Sequence, residues 1–173
     1  DVQEDRHHVR KRHRPFASGA LKLVTGWVAW PALLGLAAVV SMIWMPVLFS
    51  VCLGAYFVLT VAYSLHLKQL AVVDVLTLAA LYTLRLIAGA MAIDVTVSFW
   101  MLLFSMFIFL SLALIKRYSE LKTARDNGHV GPLRGRGYAP DDLELVASLG
   151  GSAGFISVLV LALYIQDART AQL

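Results

Sequence analysis

The chain has 173 residues, 59% of them hydrophobic, and a mean hydropathy of +0.72, well above the ~45–50% apolar content of soluble domains. Its single cysteine, Cys52, excludes an internal disulfide and a cysteine metal cluster. A net charge of +4 would suit a nucleic-acid binder, but the charges are segregated between long apolar runs, which argues against nucleic acid as a partner.

In chain order, a polar segment "DVQEDRHHVRKRHRPFASG" precedes uncharged apolar stretches at Val24–Met45 and Val47–Leu65, parted by a tight turn at Pro46. Val75–Ile93 follows, carrying only Arg85, then Val97–Ile115, a polar loop over 116–141, and Leu145–Ile165. Each stretch is close to the ~20 residues a helix needs to cross ~30 Å of hydrocarbon. The expected fold is therefore an all-α, multi-span transmembrane helical bundle with five spans. The start of the polar loop, "KRYSELKTAR", suits a helix continuing out of the membrane, whereas "RDNGHVGPLRGRGYAPDD" has the composition of irregular backbone. Asp141 and Asp142 suit the N-terminus of the last helix. In that helix Gly150, Gly151, Ser152, Ala153, Gly154 and Ser157 form a small-residue patch, read as a packing face.

Thirteen of the fifteen Lys and Arg residues lie in 1–23, at Lys68, or in 116–141, three segments separated by two spans each. An up-down bundle puts all three on one side, and the connections at Pro46 and Asp94–Thr96 contain none. By the positive-inside rule the charged side is cytoplasmic, so the expected location is the inner, cytoplasmic membrane.

Candidate chemistry follows these charges. Asp1 and Asp5, four apart, would project to one side of a helical turn, as in an oxygen-liganded Mg²⁺ site; a solvated polar turn is the competing reading. Arg6, Lys11, Arg12 and Arg14 follow within ten residues, and acid-held metal beside guanidinium donors is what a diphosphate requires. The same cations would also anchor the chain to lipid headgroups. His7, His8 and His13 read as surface or phosphate contacts.

A second cluster, "YSLHLKQLAVVD", offers Tyr63, Lys68 and Asp74 to a substrate phosphate, with snorkelling of Lys68 as the alternative. Arg85 shares a helical face with Asp74, Thr77 and Leu81, roughly 16 Å along from Asp74 at ~1.5 Å per residue, and is expected to face the bundle. The third cluster, "IKRYSELKTARDNG", supplies Lys116, Arg117 and Glu120. Glu120 is a second metal ligand or a general base, or else an ordinary partner of Lys116. The glycines of "GPLRGRG" match no phosphate-loop pattern, and that segment is given no site.

These residues match a known pattern. "DVQEDRHHVRKRHRPFASG" resembles the first aspartate-rich motif of the UbiA prenyltransferase superfamily, NDxxDxxxDRxHPxKRxRPxAxG, with Val9 in place of a proline. Asp1 and Asp5 stand for its second and third aspartates. "YSLHLKQLAVVDVLTLAALYTLRLIAGA" and "KRYSEL" are similar to the subgroup that includes decaprenyl-phosphate phosphoribosyltransferase. Tyr63 and Lys68 are five apart as there, rather than four as in the aromatic-prenylating branch, and the later loop has no DxxxD.

The resemblance implies a single membrane-embedded transferase domain over 1–173, holding five of a probable nine helices and lacking those at both ends. It implies Mg²⁺ at Asp1 and Asp5, catalysis by these and Glu120, and a polyprenyl phosphate or diphosphate held by the basic residues. The implied reaction is phosphoribosyl transfer from phosphoribosyl diphosphate to a polyprenyl phosphate. A prenyltransferase acting on an aromatic or other acceptor is the alternative. A transporter or lipid-binding scaffold is the reading from another class.

Overall fold

The computed structural model describes residues 11–133 and 135–170. The expectations placed on Asp1, Asp5 and Arg6 lie outside the described residues, as does the side chain of Lys11. All regular structure among the described residues is helical: α1 (Leu23–Trp44), α2 (Val47–Leu65), α3 (Val73–Ala92), α4 (Phe99–Asp126) and α5 (Leu143–Thr170). Among the described residues five helices are long and apolar enough to cross a membrane, and they coincide with the five predicted spans. The physical reason is that hydrocarbon cannot hydrogen-bond backbone groups, so an uncharged run of this length must satisfy them within itself. The chain is an all-α integral membrane protein, and it divides into two compact units, Asp1–Pro46 and Val47–Leu173.

In the first unit a 3-10 turn at Lys11–His13 leads into a compact bend, closed by the Ser18 amide donating to Arg14 O at 2.8 Å and the Leu21 amide to Pro15 O at 3.0 Å. The bend lays the Phe16 ring on Gly26 of α1, where a Cβ would come within 3.1 Å of it. Phe16, Leu23, Gly26, Trp27 and Trp30 line one apolar hollow. Pro31 sits inside α1 and removes one backbone donor from its ladder.

In the second unit each helix packs on its neighbour in sequence: α2 on α3, α3 on α4, and α4 along α5 over the most extensive interface. Ser98 starts α4 by accepting the Met101 amide on its hydroxyl at 3.1 Å. As expected, α4 runs well past its apolar stretch, through "KRYSELKTAR" to Asp126. The small-residue patch of α5 is a packing face against α4. A Cβ on Gly150 would meet Leu114 Cβ at 3.2 Å, one on Gly154 would meet Ser111 Oγ at 3.1 Å, and Ser111 donates its hydroxyl to Gly150 O at 2.9 Å. Asp142 takes the capping role predicted for it, accepting the Ala139 amide at 2.8 Å.

The core of this unit lies toward one end of the helices. Val75 of α3, Leu114 and Leu121 of α4, Leu143 and Val146 of α5, and Tyr138 of the α4–α5 connection form one buried cluster. The site described next is built into that end.

Candidate functional site at one end of the second unit

Two connections meet here: the short one between α2 and α3, and the longer one between α4 and α5. The first turns through Leu67–Gln69 and then through Val72, whose φ of 66° and ψ of −45° place a β-branched residue in a left-handed γ-turn. The Val73 amide closes it on Ala71 O at 2.7 Å. Such a turn is strained, by about 1–3 kcal/mol for a non-glycine residue.

The second connection holds it in place. Gly137 is pressed against the first, with a Cβ there coming to 2.5 Å from both Gln69 O and the Ala71 nitrogen, so only glycine fits. Tyr138 Oη accepts the Val72 amide at 2.7 Å and donates to Asp74 Oδ1 at 2.9 Å. Buried and aimed at a carboxylate, the phenol is pushed up to about 12: burial is the largest cause, Asp74 adds to it, and the Val72 amide and Arg117 oppose it.

Asp74 is fully buried and Arg117 is 1% exposed; they pair through Nη2 and Oδ2 at 2.6 Å. Arg117 also donates through Nη1 to Glu120 Oε2, and its guanidinium lies 5.5 Å from the Tyr138 ring centroid. Its Nε has no hydrogen-bond partner among the described residues. The fork of one arginine thus fixes an acid on α3 and an acid one turn further along α4.

Arg136 completes the cluster. Its Nη1 donates to Tyr63 Oη of α2 at 3.3 Å and lies 3.8 Å from Asp74 Oδ2. Burial disfavours its charge, but the Tyr63 hydrogen bond and the fields of Tyr63, Glu120 and Asp74 outweigh it, and its pKa is raised.

Several sequence expectations change with this geometry. From sequence, Asp74 and Arg117 are assigned to the substrate; in the structure they are given to each other, because both are sealed in the core end. Glu120 pairs with Arg117 rather than Lys116, since the buried guanidinium points its second nitrogen along the helix while Lys116 is exposed. Asp74, Thr77 and Leu81 are buried as a shared face requires, but Arg85 on the same face is exposed. Only the end of that face near the connections is covered within the described chain. Arg85 lies over the rings of Tyr56, at 5.1 Å, and Tyr82, at 5.6 Å.

Lys68 is half-buried in its 3-10 turn and Tyr63 half-buried on α2. In the first unit Arg12 is exposed, donating from Nε toward His13 Nε2 at 3.4 Å, and Arg14 is exposed in the bend. Among the described residues no three acids, histidines or cysteines gather to hold a metal.

Sequence alone assigned no role to Arg136 and Tyr138. The available signal was local: an arginine between two glycines, then a tyrosine at a helix cap, in "GRGYAPDD".

Comparison with known proteins agrees with the resemblance. The sequence profile described as the UbiA prenyltransferase family matches residues 1–130. The nodulation protein NoeC of Azorhizobium caulinodans is 40% identical over 172 residues, 99% of this chain and 55% of its own length. An uncharacterized protein, y4nM, of Sinorhizobium fredii is 33% identical over 95% of this chain and 32% of its own. The decaprenyl-phosphate phosphoribosyltransferase of Mycolicibacterium smegmatis is 37% identical over 74% of this chain and 40% of its own. The chain spans about half or less of the length of these relatives.

Proposed function

Because the chain belongs to the UbiA prenyltransferase family, we propose that it carries the phosphate-handling end of an intramembrane transferase acting on a polyprenyl phosphate or diphosphate. The reaction we favour is phosphoribosyl transfer. A phosphate oxygen of polyprenyl phosphate attacks the anomeric carbon of phosphoribosyl diphosphate, the bond from that carbon to the diphosphate oxygen breaks, and pyrophosphate departs with the electron pair. The observation that carries this reading is the meeting of Tyr63, Asp74, Arg117, Glu120 and Arg136, drawn from three helices and a connection, at one end of an apolar helix unit. The similarity to a relative named for this activity supports it.

Lys68, Lys116, Arg12, Arg14, Arg6 and Lys11 are proposed to neutralise phosphate charge, with Arg85 as a further contact. Asp74 and Arg117 hold the end together. Mg²⁺ is proposed at Asp1 and Asp5. The described acids do not form such a site by themselves: Asp74 spends Oδ1 on Tyr138 and Oδ2 on Arg117, and Glu120 spends Oε2 on Arg117. The ion would stabilise the charge on departing pyrophosphate. A phosphate monoester, with its second pKa at about 6, is already a nucleophilic anion at pH 7, so Glu120 is not needed as a base. The connections at 66–72 and 127–139 are proposed to face the cytoplasm from the inner membrane.

The test is incubation of the full-length protein in detergent micelles with Mg²⁺, phosphoribosyl diphosphate and a polyprenyl phosphate, reading pyrophosphate and ribosylated lipid. Formation of both is expected, with a large loss in Asp5→Asn. Release of pyrophosphate only from a polyprenyl diphosphate plus acceptor would establish prenyl transfer instead. No turnover of either kind would refute the transferase.

A further inference from the structure

We infer that Arg136 and Tyr63 form an anion-binding pair that grips phosphate oxygens, an assignment that rests on the transferase reading for the identity of the anion. Arg136 is placed with unusual care for a residue in an irregular loop. Gly135 precedes it at φ +72°, a conformation that disfavours a side chain, and Gly137 follows it where a Cβ would strike the backbone of Gln69 and Ala71. Its own amide donates to Leu133 O at 3.0 Å, and the Leu133 amide donates to Tyr138 O at 2.8 Å, closing the turn that carries it.

So held, the guanidinium is not spent. Its one hydrogen bond goes to a neutral phenol, at 3.3 Å. Its carboxylate neighbour, Asp74 Oδ2, is 3.8 Å away, beyond hydrogen-bond range, and already accepts from Arg117 at 2.6 Å. Among the described residues the other N–H groups of Arg136 have no acceptor, and the side chain is 27% exposed, within reach of a ligand. Arg117 is shared between Asp74 and Glu120, so the charges of these two acids and two arginines balance; what Arg136 offers an arriving anion is unspent N–H donors on a guanidinium that no carboxylate holds at hydrogen-bond distance. A planar fork with spare donors matches two phosphate oxygens, a geometry a lysine ammonium lacks. The Tyr63 hydroxyl, accepting from Arg136, keeps its own proton to donate to the same anion.

The chemistry fits a phosphate monoester or a diphosphate, whether on a lipid or free. The experiment is calorimetric titration of the full-length protein in micelles with inorganic pyrophosphate in one arm and a short-chain polyprenyl phosphate in the other. Wild type is expected to bind at least one of them, with about 10-fold or greater weakening in Arg136→Gln, partial recovery in Arg136→Lys, and a smaller loss in Tyr63→Phe. Weakening confined to the first arm assigns the pair to the free diphosphate; weakening confined to the second assigns it to the lipid head. Thermal unfolding of Arg136→Gln should stay within a few degrees of wild type. Unchanged binding in both arms, no binding by wild type, or a loss matched by unfolding overturns the inference. Arginine-dependent binding without formation of ribosylated lipid sustains the pair and refutes the phosphoribosyl reaction, so the two fail separately.

Discussion

Replacing Asp74 by asparagine removes one charge from the most enclosed ion pair described here and changes almost no volume. Arg117 is 1% exposed and would keep a single ionic partner, Glu120, whose side chain is 37% exposed and therefore screened. Removing one partner of a buried pair costs about 3–5 kcal/mol, because the remaining charge stays desolvated. The surviving contact to Glu120 puts the expected cost at the lower end, about 3 kcal/mol. The amide also cannot serve both donors that Asp74 serves, since its single oxygen can face either Arg117 or the Tyr138 hydroxyl while its NH₂ confronts the other.

For a protein of this size ~1 kcal/mol corresponds to about 2–4 °C, so Asp74→Asn should unfold about 6–12 °C earlier in detergent micelles, followed by far-UV circular dichroism. The companion variant, Asp74→Leu with Arg117→Met, removes both charges and should recover part of that loss, since apolar residues of similar size replace a buried pair at little cost while the Tyr138 hydroxyl is left without its acceptor. A single variant less than ~1 kcal/mol below wild type, or a double variant worse than the single, would refute the reasoning.

Two further outcomes follow from the same end of the molecule. Val72→Gly releases a strained γ-turn at a position 44% exposed, and after the entropy that glycine loses on folding it should stabilise the protein by about 1 kcal/mol, read as a rise in Tm; a fall would mean the turn is not strained as drawn. The Tyr138 phenol, raised to about 12 from the ordinary 10, contributes stability that is fully present below pH 10 and lost as pH rises through about 12. Ultraviolet titration should show one tyrosinate forming near pH 12 that is missing from Tyr138→Phe, and a tyrosinate of that kind persisting in the variant would contradict the assignment.

The helices were legible because their signal is local and redundant. An uncharged run of spanning length leaves the backbone one solution, and the charged continuation of α4, the Asp142 cap and the small-residue face of α5 each depend on neighbours within a few positions. What pairs across the site was not legible. Spacing offered Glu120 the (i, i+4) partner Lys116; the pairing with Arg117 was decided by Asp74, 43 residues before Arg117, which buries that guanidinium and sets its direction. Periodicity likewise put Arg85 on one face with Asp74, but periodicity reports which residues share a face and not how far along it a neighbour reaches.

The largest miss was Arg136, and it shows how charges divide in such a site. From sequence Arg117 counts toward a phosphate, and the segment that carries Arg136 is given no site. Folding removes Arg117 from that role by pairing it in the core, and lifts Arg136 into it by bracketing a loop arginine with two glycines. The trade is physically coupled, because the same Asp74 oxygen that binds Arg117 at 2.6 Å stands 3.8 Å from Arg136 and cannot satisfy it. Tyr138 then fixes the loop by bridging Asp74 to the strained Val72 turn, so the buried pair, the turn and the available arginine form one mechanical unit. Loosening Asp74 should therefore shift the placement of Arg136, although Asp74 itself is sealed in the core end.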